Sequence, residues 1–394
     1  MKSKNVKWIV MAALFLSCLC VPSWAKDPGL TDTTIKIGIF GPLTGAVSLW
    51  GWNMSHGAIT IYNEASKGGG IHGRKVEVIN MDDRCTPEGA KSAVKKLIFS
   101  DEVFLINGGL CSAGPLAARD EIIESKVPMV LTGATMDRIM EPVNRYVFSP
   151  VLPASVDGVM MVEFLMSKPG TKRLAMVVHP DEWGKSKTEK GLALLKEKYG
   201  LDLVASETMD RGATDATAQI LRIKEAKPDG LLLAVYPAEA AIFCRDAYKY
   251  DLKVPFVATN AVLDLLDLRD RVGSLKPVEN VYSVSYLYDS LSKFDDLAKI
   301  HATYFPKDKL SSFILQGMGS ARVIVEGLKR AGKNLTREKF VDALETLKDF
   351  DTKILSSRIT YTKNDHKGTK VGRMVTLVNG QEYYMDAKWQ EGLK

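Results

Sequence analysis

Residues 103–115 read Val-Phe-Leu-Ile-Asn-Gly-Gly-Leu-Cys-Ser-Ala-Gly-Pro. The first five form an apolar run with the length of a buried strand, two glycines make a turn, and a helix-like run follows at residues 115–124. The preceding part of the chain has the same order of strand, turn and helix, with an apolar run at residues 75–81 followed by a helix-like run at residues 87–99. Short strands that alternate with helices of about 10–15 residues predict βαβ units in a parallel sheet.

Each of these two turns carries a cysteine, Cys85 after the first strand and Cys111 after the second. If the two strands are neighbours in a parallel sheet, both turns emerge at the same edge, and a disulfide between them is geometrically reasonable. The edge at the carboxyl ends of the strands is where open α/β sheets bind ligands. The sequence therefore places Ser112, which follows Cys111, beside a predicted binding site.

The alternation of strands and helices occurs twice along the chain. It runs first from residues 34–40 to residues 128–131, then restarts with a helix at residues 158–166 and continues to a strand at residues 255–258. A long helix is predicted at residues 316–331. Later extended runs are predicted at residues 281–286, 358–361, 372–378 and 382–385. Because about 370 mature residues exceed what one core normally accommodates, the pattern predicts two α/β lobes.

The first 25 residues have the composition of a secretory signal peptide. Three lysines precede an apolar run at residues 8–21, and Ser23-Trp24-Ala25 fits a cleavage site. The apolar run is too short for a membrane-spanning helix, so we expect cleavage after Ala25 and export to the periplasm. A lipoprotein anchored through Cys18 is the minor alternative.

Composition and charge are those of an ordinary globular protein, with 46% hydrophobic and 25% charged residues. The formal net charge of +6 falls to +3 without the three lysines of the signal peptide. Such a weak and dispersed charge does not indicate nucleic acid binding. Cys18 and Cys20 leave with the signal peptide, and Cys244, in a predicted helix at residues 238–250, is expected to be a buried small hydrophobe.

Polar and aromatic residues follow several predicted strands of the first lobe. Trp50, at the start of the helix after the first strand, fits a pocket wall and ordinary packing equally well. Ser112 and the turn of Gly133, Ala134 and Thr135 follow the third and fourth strands. Their hydroxyls and backbone N–H groups at helix starts suit an anion such as a carboxylate. N-capping by Ser112 and Thr135 is the alternative, and it is compatible with anion binding.

The chain lacks the sequence signatures of common catalytic and metal sites. Residues 109–114 do not have the spacing of the nucleophile elbow G-x-S-x-G, and neither H-E-x-x-H nor G-x-x-x-x-G-K-[ST] occurs. The five histidines show no ligand spacing. We therefore expect that the protein is not an enzyme and that it holds neither a metal nor another cofactor.

Several motifs together resemble the leucine/isoleucine/valine-binding family, the type I periplasmic solute-binding proteins of ABC importers. They are Gly41-Pro42-Leu43-Thr44-Gly45, Asp82-Asp83-Arg84-Cys85, Gly109-Leu110-Cys111-Ser112, Trp183-Gly184 and Tyr236-Pro237. The resemblance covers about residues 33–390 and is specific only as a combination. It implies two doubly wound parallel-sheet lobes joined by crossing hinge strands. Its lobe bounds are residues 31–150 and 287–357 for lobe one, and residues 151–286 and 358–394 for lobe two.

The resemblance also implies which residues bind a ligand between the lobes. In lobe one, Ser112 and the Ala134 region would hold a carboxylate, and Trp50 and Thr135 would contribute beside them. Trp183 and Tyr236 of lobe two would cover the ligand. The disulfide of the family maps onto Cys85 and Cys111.

One position departs from the family pattern. Amino-acid binders place an acidic residue after the strand that follows Tyr236, where it pairs the ligand's ammonium, and here Asn260 holds that position. A buried ammonium without a carboxylate partner is costly. Either the ligand has no α-ammonium, or another acid such as Glu239 takes over the pairing.

The sequence thus predicts a periplasmic substrate-binding component of an ABC importer. Its predicted ligand is a small carboxylate of the branched-chain amino acid class, and its predicted membrane partners are ABC permease subunits. We expect a monomer. The alternatives are a receptor for an aromatic or other amine-free organic acid, and an amide-sensing regulator of the same fold.

Overall fold

The computed structural model describes residues 27–385, so the predicted signal peptide and the last nine residues lie outside the described part of the chain. The strands are β1 (Thr34–Gly41), β2 (Lys75–Asp82), β3 (Leu105–Gly108), β4 (Met129–Leu131), β5 (Val147–Phe148), β6 (Leu174–Val178), β7 (Ala205–Thr208), β8 (Gly230–Ala234), β9 (Phe256–Ala258), β10 (Val281–Ser285), β11 (Arg373–Val378) and β12 (Gln381–Tyr384). The helices are α1 (Ser48–Ala65), α2 (Pro87–Lys95), α3 (Ala113–Ser125), α4 (Asp137–Met140), α5 (Ala154–Met166), α6 (Glu182–Tyr199), α7 (Thr217–Glu225), α8 (Pro237–Lys249), α9 (Leu265–Val272), α10 (Asp295–Tyr304), α11 (Ser312–Ala331) and α12 (Arg337–Glu345).

The strands form two sheets, which confirms the predicted α/β architecture of two parallel-sheet lobes. The first sheet has the order β2-β1-β3-β4-β5, and all its strands are parallel. The second has the order β12-β11-β10-β9-β8-β6-β7, in which only β11 and β12 pair antiparallel to their neighbours. In both sheets, the loops after the parallel strands open at the carboxyl edge.

The two strands that precede the cysteines are not neighbours, because β1 lies between β2 and β3. The premise of adjacent strands was therefore wrong. The disulfide between Cys85 and Cys111 is nonetheless present, with Cα atoms 5.4 Å apart, since both loops leave the same edge and reach over the end of β1. Cys244 is a free and fully buried thiol within α8.

Late helices complete the first lobe. The long helix α11 packs along α1, although more than 240 residues separate their starts, and α10 and α12 lie beside these two helices. The close approach depends on two glycines. A Cβ atom at Gly57 would lie 2.1 Å from the Ile314 carbonyl oxygen, and one at Gly317 would lie 1.9 Å from the Met54 carbonyl oxygen. Lobe one is thus formed by two separate parts of the chain, with lobe two between them in the sequence.

Three chain segments run side by side between the lobes. Ser149 pairs with Lys367 in a parallel bridge, and Leu287 pairs with Leu355 in an antiparallel one. The predicted strand at residues 358–361 was wrong, because within it only Ile359 forms a bridge. Ile359 pairs with Phe350 in a single antiparallel bridge, so this segment does not form a strand.

Candidate ligand-binding cleft

A cavity of about 40 Å³ lies between the two lobes at the carboxyl edges of their sheets. Its walls come from both lobes and are mostly apolar or aromatic. The lining residues are Trp50, Met54, Leu110, Cys111, Gly133, Thr135, Phe313 and Gln316 on one side, and Trp183, Tyr236, Asn260, Ala261 and Tyr286 on the other. Five of the seven predicted ligand-binding residues therefore line one cavity, and their role in binding stays a prediction.

Aromatic rings from the two lobes meet across this cavity. Trp50 stacks on Phe313 in lobe one with ring centroids 5.1 Å apart, and Trp183 stacks on Tyr236 in lobe two at 4.3 Å. The centroids of Trp50 and Tyr236 are 6.4 Å apart across the cleft. The open alternatives for Trp50 are thus both satisfied, because its ring is packed and also forms part of the cavity wall.

Local sequence signals fix the position of the two aromatic rings of lobe two. Asp181 accepts a hydrogen bond from the Gly184 N–H at 3.0 Å, which caps α6 and places Trp183 in its first turn. Pro237 is the first residue of α8, a position where the missing N–H costs nothing, and Tyr236 stands directly before it. Both rings therefore lie at the carboxyl edge of the second sheet.

The other two predicted residues, Ser112 and Ala134, lie behind the cavity wall. The Ser112 hydroxyl oxygen accepts hydrogen bonds from the N–H groups of Thr135 at 3.1 Å and Met136 at 3.3 Å. The Ala134 N–H donates to the Gly109 carbonyl oxygen at 2.9 Å. These backbone N–H groups are thus used within the protein and are not free to bind an anion.

Neither Ser112 nor Thr135 acts as a helix cap. Ser112 occupies the N-cap position of α3, but its side chain makes no capping hydrogen bond there. The N-cap of α4 is Met136, one residue beyond Thr135. The capping alternative was therefore wrong for both residues.

Asn260 sits on a buried ion pair that no sequence pattern predicted. Lys187 Nζ lies 2.7 Å from Asp157 Oδ2 and also donates to Asn260 Oδ1 at 2.7 Å. The Asn260 N–H in turn donates to Asp157 Oδ1 at 3.2 Å. The exposed fractions are 1% for Lys187, 0% for Asp157 and 5% for Asn260, so the group is sealed from solvent.

This arrangement fixes the orientation of the Asn260 amide. An ammonium can only donate hydrogen bonds, so the atom that faces Lys187 must be the amide oxygen. The amide nitrogen Nδ2 has no hydrogen-bond partner among the described residues. Asn260 therefore presents an N–H donor, not an acceptor, to the cavity that it lines.

The two charges of the pair compensate each other's burial. Burial lowers the pKa of Lys187 and raises that of Asp157, while the attraction between the two charges opposes both shifts. The ammonium also lies 5.9 Å from the ring centroid of Trp183. Lobe two thus has a buried ion pair without net charge next to the aromatic ring of Trp183.

Gln316 and Tyr286 form a second polar pair in the cavity wall. The Tyr286 hydroxyl donates to Gln316 Oε1, and Gln316 Nε2 has no partner among residues 27–385. Gln316 is 3% exposed and Tyr286 is 1% exposed. Neither residue was identified from the sequence as part of the site. Tyr286 could have been found as the last residue of a predicted extended run, and Gln316 as the first residue of the long predicted helix.

Arg211 closes the mouth of the cleft from lobe two. Its Nη2 donates to the Tyr236 hydroxyl at 2.9 Å, and its guanidinium carbon lies 4.5 Å from the centroid of that ring. Its Nη1 lies 3.7 Å from Cys85 Sγ, on the lobe-one disulfide. One exposed side chain therefore touches both lobes.

Glu239, the alternative acid for an ammonium, does not line the cavity. Its Oε1 accepts a hydrogen bond from the Gly212 N–H at 2.7 Å, which holds it against the loop that carries Arg211.

Within residues 27–385 no group of three or more His, Cys, Asp or Glu side chains is placed to hold a metal ion. In the same range, no helix combines the length and apolarity of a membrane span.

The sequence profile described as periplasmic binding protein matches residues 34–382. A leucine-, isoleucine-, valine-, threonine- and alanine-binding protein of Pseudomonas aeruginosa is 23% identical over 340 residues, which cover 85% of this chain and 87% of the relative. A valine-bound branched-chain amino acid transporter protein of Thermus thermophilus superposes with a TM-score of 0.81 at 19% identity, over 91% of this chain and 96% of that one. A fatty acid transporter substrate-binding protein of Thermomonospora curvata gives 0.80 at 24% identity, over 92% and 93%.

These likenesses extend over nearly the whole described chain and bear out the resemblance seen in the sequence motifs. The profile match alone spans far more than half of the protein. The chain therefore belongs to the periplasmic binding protein family, as a type I member of its leucine/isoleucine/valine-binding group, a family of solute-binding proteins rather than enzymes.

Proposed function

We propose that this protein is the periplasmic substrate-binding component of an ABC importer, and that its solute is a small carboxylate without an α-ammonium. The observation that carries the proposal is the orientation of Asn260, whose oxygen is taken by Lys187 and whose unpartnered N–H group lines the cavity. The importer's permease subunits are the proposed membrane partners.

A ligand ammonium needs an acceptor, and preferably a carboxylate, when it is buried. Asn260 offers a donor at the position where amino-acid binders have an acid. The nearest carboxylate, on Asp157, is already paired with Lys187 at 2.7 Å. A ligand oxygen fits this donor, whereas an ammonium placed there meets an N–H group with a lysine behind it.

The rest of the cavity suits an apolar or aromatic acid. Trp50, Phe313, Trp183 and Tyr236 offer flat surfaces on both sides of a solute. The Thr135 hydroxyl, which lines the cavity, is the donor proposed for its carboxylate, and Ser112 positions Thr135 by accepting a hydrogen bond from its N–H group. A solute held by both lobes favours the closed arrangement, because each lobe contributes part of the binding energy.

A branched-chain amino acid is the second candidate. It is favoured by the names of relatives such as the Pseudomonas aeruginosa protein, which aligns over 85% of this chain. In that case the α-ammonium would have to be held by carbonyl and hydroxyl oxygens alone.

Calorimetry separates the two candidates. The proposal expects benzoate, cinnamate or an aliphatic analogue to bind in the micromolar range or tighter, and leucine and valine not to bind. Asn260→Asp should weaken an amine-free acid at least tenfold through charge repulsion, and the exposed Asn364→Asp is the matched control that should leave affinity unchanged. Micromolar binding of leucine without binding of the acids would refute the amine-free assignment.

A further inference from the structure

Two buried carboxamides line the cavity with unsatisfied nitrogen atoms. Asn260, from lobe two, is 5% exposed, and Gln316, from lobe one, is 3% exposed. Neither Asn260 Nδ2 nor Gln316 Nε2 has a hydrogen-bond partner among the described residues. Because buried donors are nearly always satisfied in folded proteins, two of them in one cavity indicate a missing acceptor.

Lys187 fixes the orientation of the Asn260 amide, and the structure pairs the oxygen of the Gln316 amide with the Tyr286 hydroxyl. Asn260 Oδ1 accepts from Lys187, which has no acceptor to offer. Gln316 Oε1 accepts from the Tyr286 hydroxyl. Burial raises the pKa of Tyr286, so this hydroxyl keeps its proton and remains able to donate. In both side chains the oxygen faces protein, and the nitrogen is the atom left over.

The two donors line the same cavity, Asn260 from lobe two and Gln316 from lobe one. The negative charge of Asp157, directly beneath Asn260, contributes to the raised pKa of Tyr286, which holds Gln316. Asp157 and Tyr286 are therefore within electrostatic reach of each other. An oxygen atom bound between Asn260 and Gln316 would contact both lobes at once.

We propose that the solute carries a second oxygen function in addition to its carboxylate, and that Asn260 Nδ2 and Gln316 Nε2 donate to it. This inference rests on the proposed function, in which the solute is an amine-free acid. A carbonyl or hydroxyl oxygen has two lone pairs and can accept both hydrogen bonds. The solute class is then a hydroxy- or keto-substituted apolar acid, and Gln316 is a specificity-determining residue.

Calorimetry with matched pairs of acids tests the inference. The pairs are para-hydroxybenzoate with benzoate, and the keto acid analogue of leucine with the same acid lacking the keto oxygen. Since a neutral hydrogen bond contributes about threefold to tenfold in affinity, at least one oxygenated member should bind tenfold or more tightly than its partner. Equal affinities within both pairs would overturn the inference and leave the proposed function standing.

Variants assign the discrimination to Gln316. Gln316→Met keeps the volume and removes the donor, so it should reduce the discrimination within the pair to threefold or less. Tyr286→Phe releases the amide from its orientation and should reduce the discrimination as well, which covers the case that Gln316→Met fails to fold. Unchanged discrimination in both variants would refute the role of Gln316. Binding of leucine alone would overturn the proposed function together with this inference.

Discussion

Each lobe buries an aspartate near the cleft, and the two are accommodated in opposite ways. Asp157 of lobe two is 0% exposed and is paired with Lys187 at 2.7 Å. Asp83 of lobe one is also 0% exposed, but its Oδ1 accepts the Cys85 N–H at 2.8 Å with no counter-charge, and its Oδ2 has no partner among the described residues. Lobe two neutralises its buried charge, whereas lobe one tolerates it beside a disulfide.

The difference shows two ways to hold a cleft wall in place. In lobe two the ion pair of Lys187 and Asp157 positions Asn260. Removal of either charged side chain leaves the other charge buried without a partner. In lobe one the wall is fixed covalently through Cys85 and Cys111. The unpaired Asp83 has a cost, since burial, aided by the charge of Asp82, raises its pKa to about 6.

The largest expected effect comes from the breaking of the buried pair. Lys187→Met leaves the buried charge of Asp157 without a counter-charge, and we expect a loss of about 3–5 kcal/mol in the free energy of unfolding. The double variant Lys187→Met/Asp157→Leu should recover most of this loss. Lys190→Met, exposed on the same helix, is the control and should stay within about 0.5 kcal/mol of wild type. Urea unfolding measures all three, and a mild Lys187→Met would show that the pair does not hold the lobe.

Removal of the disulfide should cost slightly less. The cysteines are 26 residues apart, so Cys85→Ser/Cys111→Ser should lose about 3–4 kcal/mol in the chain-entropy account. Thermal and urea unfolding of the oxidised mature protein and of the variant provide the comparison. Thiol titration of the denatured, non-reduced mature protein should detect only Cys244. Detection of three thiols would contradict the bridge.

Asp83 should make the stability of lobe one depend on pH. Because its folded pKa is about 6, above the ordinary value of 3.8, the folded state binds more protons than the unfolded state between these values. Its contribution to stability is therefore full below about pH 4 and lost as the pH rises through 6. Asp83→Asn keeps the acceptor for Cys85 and should stabilise by ~2–3 kcal/mol at pH 7.5, with little change at pH 4. An equal effect at both pH values would refute this reading.

The smallest effect is expected at the mouth of the cleft. Arg211 is 44% exposed and contacts Tyr236 and Cys85 across the lobes, so Arg211→Ala should lower stability by less than about 1 kcal/mol. Dissociation of a bound solute should accelerate severalfold, because one contact between the closed lobes is lost. Stopped-flow tryptophan fluorescence measures this rate, and an unchanged rate would exclude Arg211 from closure.

Most of the fold could be predicted because it follows from local patterns. Apolar runs predicted β1 to β4 and β9, and the glycine turns and cysteines indicated the ligand edge of the first sheet. The helices α9 and α10 were missed, although Asp264 caps α9 and Gly273 ends it with φ at 79°. The order of β1, β2 and β3 could not be obtained, since strand order depends on packing and not on the sequence of any one strand.

The site was predictable only where a residue follows a strand or starts a helix. Trp50, Thr135, Trp183, Tyr236 and Asn260 are of this kind, and all five line the cavity. Asp157 and Lys187 lie 30 residues apart on two helices, where each reads as an ordinary polar residue. Their meeting depends on the packing of α5 against α6, which no local pattern encodes.

The small cavity has a consequence for the kinetics of uptake. Ligand pockets usually occupy about 300–1,000 Å³, whereas this one measures about 40 Å³. We therefore expect a solute to enter only after the stacked Trp183 and Tyr236 have moved away from lobe one, and the observed association rate to level off at high solute concentration. The apparent dissociation constant equals the intrinsic one divided by the fraction of open molecules. Substitutions that loosen the closed arrangement before a solute arrives can thus tighten binding without contact to any solute atom.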